Sequence, residues 1–328
     1  GTLVHSVLQA FLETVKNNGI LHSDKLDFTE ISKMIKDITE RQSALILEFT
    51  PENKKARVSH MLKRLSEATA YTAENLVLEF TQSGFTPTFF ELPINKYSDS
   101  AVMPIKLSLD DGSYVVLGGI SDRVDTMVKG NRLYVRVVDY KSKGKTFSLE
   151  SIRHGLSLQL LIYLFSIWDN AGTAFKLSAG ASPDSEIIPA GAEYHGTSPD
   201  RIKGNKDADA ELVSELLSKS FKRSGIYLSD SDIINAMDCG LSSRFVPINK
   251  KLEAKDGSVI MSIEELNRLK DELGGILTDI GNSIKAGKAD AEPLGQIPSA
   301  GRKYTACEYC NMKFVCKKAV HDTVVEEE

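Results

Sequence analysis

The sequence predicts a mixed α/β (α+β) domain: a central mixed sheet flanked by helices, followed by a helical C-terminal extension. Two observations carry this expectation. Apolar residues recur at helical spacing toward both ends of the chain, and between them, from about residue 88 to 141, the period drops to two. Composition bounds the class: 328 residues, 41% hydrophobic and 26% charged, describe a globular chain able to bury a substantial core.

Leu3, Val4, Val7, Leu8, Phe11, Leu12 and Val15 line one face of an opening helix. A second helical stretch follows Pro51, with Val58, Met61, Leu62, Leu65, Leu76, Val77 and Phe80 as its apolar positions; Gly84 and Pro87 end it. Strands are expected at 88–94, 102–109, 114–118, 121–128 and 132–141, with Asp110-Asp111-Gly112 and Lys129-Gly130-Asn131 as turns. A long helix over about 149–168 comes next, then strands near 175–180 and 187–195 and a polar loop at 198–210. Helices at 211–223, 230–237 and 262–285 fill the last third. No repeat or low-complexity linker interrupts this order. It suggests one domain with a helical part (1–85), a sheet and helix carrying the candidate site (86–197) and a mostly helical part ending in cysteines (198–328).

Composition excludes a disordered tail, a collagen-like repeat and a small disulfide scaffold. The net charge of −5 does not exclude a nucleic-acid partner, because residues 123–153 hold eight Lys or Arg against three acidic residues. The longest apolar stretch, near 158–168, is broken by Gln159 and Ser166 and is too short to span a bilayer. No membrane partner is expected. The chain opens at Gly1 with no signal sequence, which reads as an excised or processed piece of a longer protein. Of the four cysteines, Cys307, Cys310 and Cys316 crowd into ten residues. That clustering favours a metal or cluster site and a reducing, cytoplasmic compartment.

The expected pair of strands at 121–128 and 132–141 carries the chemistry. Asp122 and Asp139 stand on adjacent strands, and alternation puts Lys141 on the same face as Asp139. Two hard oxygen donors suit Mg²⁺ or Mn²⁺, which can activate water and offset charge on a phosphodiester beside a lysine. An Asp-x-Lys triplet alone is weak evidence, since about one is expected by chance in a chain of this length. The apolar lead-in Leu133, Val135, Val137 and Val138 strengthens it, because unpaired charge is costly on a central strand. In the following helix Gln159 and Tyr163 stand one turn apart, and a buried Gln there needs a partner. Gly144-Lys145-Thr146 mimics the end of a phosphate-binding loop, but Asp139 occupies the position that loop requires to be Gly. Any ATP-driven motor must belong to other sequence.

Together, Asp122, Asp139-Tyr140-Lys141 and Gln159-x-x-x-Tyr163 resemble the PD-(D/E)XK nucleases of the RecB type. Gly1-Thr2-Leu3-Val4-His5 is similar to the Gly-x-x-x-His helix of that family. Gly119-Ile120-Ser121-Asp122-Arg123-Val124-Asp125 looks like the corresponding strand of the AddB type of ATP-dependent helicase–nuclease, with Ser121 in place of the usual Ile. The resemblance runs on through Ser224-Gly225-Ile226-Tyr227-Leu228 and Met237-Asp238 to the cysteines.

It implies a restriction-endonuclease-like core in which His5, Asp122, Asp139 and the Tyr140 carbonyl hold Mg²⁺ or Mn²⁺. Lys141 would be the catalytic lysine, with Gln159 and Tyr163 as the family's accessory pair. Asp125 would pair with Arg123 or another cation. Lys143, Lys145 and Arg153 are candidates for backbone phosphate contacts. Cys307, Cys310 and Cys316 would join a fourth cysteine, upstream of Gly1 in the family, around a 4Fe–4S cluster that is incomplete or absent in this chain. A local Cys₃His zinc site with His321 stays open, and Cys239 reads as a buried structural thiol. The implied function is a DNA exonuclease domain in double-strand-break repair and recombination. It would hydrolyse single strands delivered by a motor, together with an AddA-type helicase–nuclease partner. A stand-alone iron–sulfur exonuclease and a non-catalytic DNA-binding module are the alternatives.

Overall fold

A computed structural model describes residues 2–23, 26–97, 101–198, 216–217, 220–288, 297–299, 302–304 and 306–316. The chain begins with three helices, α1 (Thr2–Asn17), α2 (Phe28–Glu48) and α3 (Glu52–Gln82). Helix α2 is not among the expected elements. It starts at a capping box, with Asp27 and Glu30 each accepting from the other's backbone N–H, and its buried apolar residues are the narrow stripe Ile31, Ile35 and Ile38.

The sheet strands follow: β1 (Thr86–Ile94), β2 (Ile105–Ser108), β3 (Tyr114–Leu117), β4 (Gly119–Lys129), β5 (Arg132–Lys141), β6 (Glu186–Gly196), β7 (Arg223–Leu228) and β8 (Val259–Met261). Six of them form one mixed sheet in the order β1-β4-β5-β6-β7-β8, while β2 and β3 pair separately as a hairpin. The pairs β1–β4, β4–β5 and β6–β7 are antiparallel; β5–β6 and β7–β8 are parallel. Between β5 and β6 lie α4 (Leu149–Arg153), α5 (Gln159–Asn170) and α6 (Thr173–Ser178). After β7 come α7 (Ser231–Met237) and α8 (Ile263–Lys285), and then the short β9 (Ile297–Ser299), β10 (Arg302–Tyr304) and α9 (Ala306–Tyr309).

Alternation along β5 feeds two cores. Val138 and Tyr140 pack with Leu8, Phe11, Ile35 and Phe80 of the N-terminal helices. Leu133, Val135 and Val137 pack with Leu160, Leu164 and Leu273 of α5 and α8. Among the described residues no helix is long and apolar enough to cross a membrane.

Two expectations are corrected. The helix drawn over 149–168 is broken: Gly155, at φ +74°, ends α4 with Gly155 N–H bonding Ile152 O at 2.8 Å and Leu156 N–H bonding Ser151 O at 2.8 Å. That is the Schellman stop, which glycine favours because it has no Cβ to clash. The strand expected at 175–180 is helix α6, whose single buried anchor, Phe175, stacks on Phe89 at 4.4 Å. One apolar anchor cannot build a strand face, and the same stop at Gly180 (φ +74°) closes the turn. The helix expected at 211–223 lies mostly outside the described residues, and Arg223 opens β7 instead. Most of the loop at 198–210 lies outside them too.

Between α3 and the sheet sits a charged layer of Arg123, Arg136, Arg223, Glu79, Asp125 and Glu193, each at most 4% exposed. Arg136 reaches Glu79 at 2.6 Å and Asp125 at 2.7 Å; Arg223 reaches Glu79 at 2.8 Å; Arg123 reaches Asp125 at 2.8 Å. Tyr227 donates to Glu193 at 2.7 Å. Guanidinium and carboxylate charges cancel, the condition under which desolvated ions are tolerated. Asp125 pairs with both Arg123 and Arg136.

Candidate metal centre and active site

The register that pairs Arg123 with Val138 brings Asp122 of β4 beside Asp139 of β5. The Tyr140 backbone N–H donates to Asp122 Oδ2 at 2.8 Å, fixing that carboxylate at the strand end. Lys141 pairs with Asp139 through Nζ and Oδ2; Asp139 is 2% exposed, whereas the Lys141 side chain is 34% exposed. The carboxylate is therefore held inside while the ammonium reaches the open end. From α1, His5 Nδ1 stands 3.5 Å from Asp122 Oδ2, and its ring lies 5.6 Å from that of Tyr140. The Tyr140 side chain points into the charged layer, where Arg123 Nη1 donates to its hydroxyl at 2.5 Å.

Burial pushes the Asp139 carboxyl up from its ordinary range; the Lys141 hydrogen bond pulls it back and the charge of Asp122 adds to the rise. Burial likewise lifts the Tyr140 phenol to about 12. Lys145 is exposed overall, but partial desolvation and then the neighbouring Lys141 lower its pKa. Carboxylates on adjacent strands at one strand end form an oxygen-rich corner suited to a hard divalent cation.

Gln159 and Tyr163 of α5 meet, with Gln159 Nε2 donating to the Tyr163 hydroxyl at 3.3 Å, but Gln159 is exposed at the start of the helix rather than buried as expected. Tyr163 presses on Gly119, where a Cβ would lie 2.8 Å from the tyrosine ring carbon Cε1. The pair thus braces the start of β4, three residues before Asp122. Lys145 Nζ lies 4.8 Å from the Tyr194 ring centroid and Lys141 Nζ lies 5.8 Å from it, so the two ammonium groups flank one aromatic ring. Lys143 is exposed. Arg153 is instead engaged by Glu272 of α8 at 2.9 Å.

Cys307, Cys310 and Cys316 are free thiols on and after α9. The Met312 N–H donates to Cys310 Sγ at 3.4 Å and the Cys316 N–H to Met312 O at 2.8 Å, a compact turn compatible with thiolate ligation. Their sulfurs are not drawn into one close ligand group among the described residues. His321 lies outside those residues, and Cys239, expected to be buried, is instead exposed in the turn just past α7.

Sequence reasoning missed Glu91 and Tyr194. Among the described residues, His5, Glu91 and Asp122 each offer a ligand atom, all within 4.8 Å of one another. Glu91 is an exposed strand residue whose only unusual mark is its backbone, at φ +44°. Tyr194 pairs with Asp139 across β5 and β6, a neighbour visible only once those strands are in register.

A mixed sheet that offers paired carboxylates and a lysine at one strand end, with a histidine delivered from the first helix, defines a class of phosphodiester-cleaving folds. The chain matches the PD-(D/E)XK nuclease superfamily over residues 1–317 and belongs to it. Among its relatives are proteins named as the B subunit of an ATP-dependent helicase/deoxyribonuclease. One, from Clostridium acetobutylicum, is 29% identical over 97% of this chain and 26% of its own length. Another, from Exiguobacterium sibiricum, is 27% identical over 97% of this chain and 27% of its length. A third, from Bacillus thuringiensis, is 34% identical over 72% of this chain and 20% of its length. The chain therefore spans about a quarter of the length of such relatives.

Proposed function

We propose that this chain is the metal-dependent exonuclease domain of a helicase–nuclease, and that it hydrolyses DNA strands delivered by a motor. The observation that carries the reading is the meeting of Asp122, Asp139 and Lys141 at one strand end with His5 beside them. His5, Asp122, Asp139 and the Tyr140 carbonyl would hold the cation, and their mixture of carboxylate, carbonyl and imidazole donors suits Mg²⁺ or Mn²⁺. A cation bound there lowers the pKa of a water and offsets charge on the scissile phosphate.

The protein's own groups do the rest. The Tyr140 N–H holds Asp122 in place, so one carboxylate oxygen is spoken for before substrate arrives. Lys141 neutralises Asp139 at rest and turns its ammonium to the attacking water or the phosphoryl oxygens as charge develops there. Water oxygen bonds to phosphorus, the phosphorus–oxygen ester bond breaks, and a proton ends on the leaving oxygen. Lys145, beside Lys141 over Tyr194, and exposed Lys143 would steady the backbone phosphates without reading bases.

The AddA-type partner, the role in double-strand-break repair and recombination and the cytoplasmic setting rest on the resemblance to AddB-type proteins. So does a 4Fe–4S cluster on Cys307, Cys310 and Cys316, which would tie the C-terminus to the first helix. The test uses end-labelled linear and covalently closed circular single-stranded DNA with Mg²⁺. Progressive loss of the linear strand, an intact circle and no cleavage with chelator are expected. A circle nicked as fast as the linear strand is shortened contradicts exonuclease action, and two intact substrates favour the non-catalytic module.

A further inference from the structure

We propose that Glu91 is a further ligand of the divalent cation, entering from β1 on the His5 side of Asp122. The inference deepens the proposed metal centre and rests on that reading. Donor atoms of Glu91, His5 and Asp122 lie within 4.8 Å of one another, close enough for one ion to touch all three. On the other flank of Asp122 lies Asp139, almost fully buried. Carboxylates from β1, β4 and β5 therefore converge at one end of the sheet, with a single imidazole between α1 and the strands. Negative charges packed this closely repel one another, and a cation among them removes the repulsion.

The backbone shows how Glu91 comes to face this corner. Phe90 packs against the core under α1 to α3, while Leu92 belongs to the core on the opposite side. Alternation would put residues 90 and 92 on one face. The break falls at Glu91, whose φ of +44° is rare for a residue with a Cβ. A kink of this kind re-aims one side chain without ending the strand, and pairing resumes with Leu92 opposite Ser121. The side chain it re-aims is the one with its carboxylate beside His5 and Asp122.

The mixed imidazole and carboxylate donors make Mn²⁺ a suitable reporter. Free Mn²⁺ is measured by electron paramagnetic resonance during titration of the full chain as wild type, Glu91→Gln and Asp139→Asn, with thermal melts of the apo forms as a fold control. Glu91→Gln is isosteric at an exposed position, so its melt should match wild type. Its Mn²⁺ affinity should fall by about tenfold or more, and Asp139→Asn should also bind weakly. Wild-type affinity in Glu91→Gln, with loss in Asp139→Asn, overturns the role of Glu91 and leaves the metal centre standing. No Mn²⁺ binding by the wild type overturns both.

Discussion

The backbone N–H of Tyr140 donates to Asp122 Oδ2 at 2.8 Å, so the carboxylate proposed as a metal ligand also satisfies a strand-end amide. These two duties can be separated. Asp122→Asn keeps an oxygen acceptor and loses the charge; Asp122→Ala loses both. Both variants should lose cleavage, by at least about 100-fold. Only Asp122→Ala should also lose stability, by about 1–3 kcal/mol for an amide left without its acceptor. Urea unfolding beside a cleavage assay checks this, and equal destabilisation of the two variants would count against it.

Arg136 is the hub of the buried charged layer, bonded to Glu79 and Asp125 on either side. Arg136→Met fills most of the volume but leaves Glu79 with Arg223 alone and Asp125 with Arg123 alone, so the layer keeps one buried negative charge in excess, and the substitution should cost about 3–5 kcal/mol. The urea midpoint should fall accordingly. A midpoint within experimental scatter of wild type would mean that the layer relaxes or admits water.

Glu79 sets an acid limit. Burial pushes its carboxyl up, but Arg223, Arg136 and Arg123 outweigh that and hold it down at about 2, below its ordinary value of 4.5. The unfolded chain therefore takes up this proton first as pH falls. Stability from this group is full above about pH 4.5 and is lost as pH drops toward 2. Glu79→Gln should flatten the stability–pH curve in that window, measured by urea unfolding across pH, while lowering stability at neutral pH. An unchanged slope would contradict it.

Gly119 leaves room for Tyr163, and a methyl there would meet the tyrosine hydroxyl and ring. Gly119→Ala should cost about 1–3 kcal/mol as an overpacked site. It should also lower the cleavage rate, because the displaced strand carries Asp122. A variant of wild-type melting temperature and rate would show that α5 does not brace this strand.

Strands β1, β4 and β5, and with them the placement of Asp122, Asp139 and Lys141 on adjacent strands, were legible in the sequence because alternation and the Lys129-Gly130-Asn131 turn act over neighbouring residues. Helix α8 was legible for the same local reason, as an amphipathic run starting at Ser262, whose side chain caps Glu265. Helix α2 was not, since Ile31, Ile35 and Ile38 are thinly spaced among charges. The charged layer was hidden more deeply. Glu79 lies 57 residues from Arg136, and charges in strand interiors ordinarily point to water. Only the cover of α3 turns them inward. Glu91 was equally silent, because a single backbone angle aims it. The pairing of Asp125 with Arg123 or another cation was anticipated only once the resemblance gave Asp122 the ligand's place, and the structure supplies both Arg123 and Arg136.

The central claim is that Asp139 and Lys141 act on DNA together. It is tested most directly by single-turnover cleavage of end-labelled single-stranded DNA with Mg²⁺ by wild type, Asp139→Ala and Lys141→Ala, each verified as folded. Measurable wild-type cleavage, with loss of about 100-fold or more in each variant, is expected. Cleavage that persists in both folded variants, or a wild type that leaves the strand as intact as they do, would contradict the account.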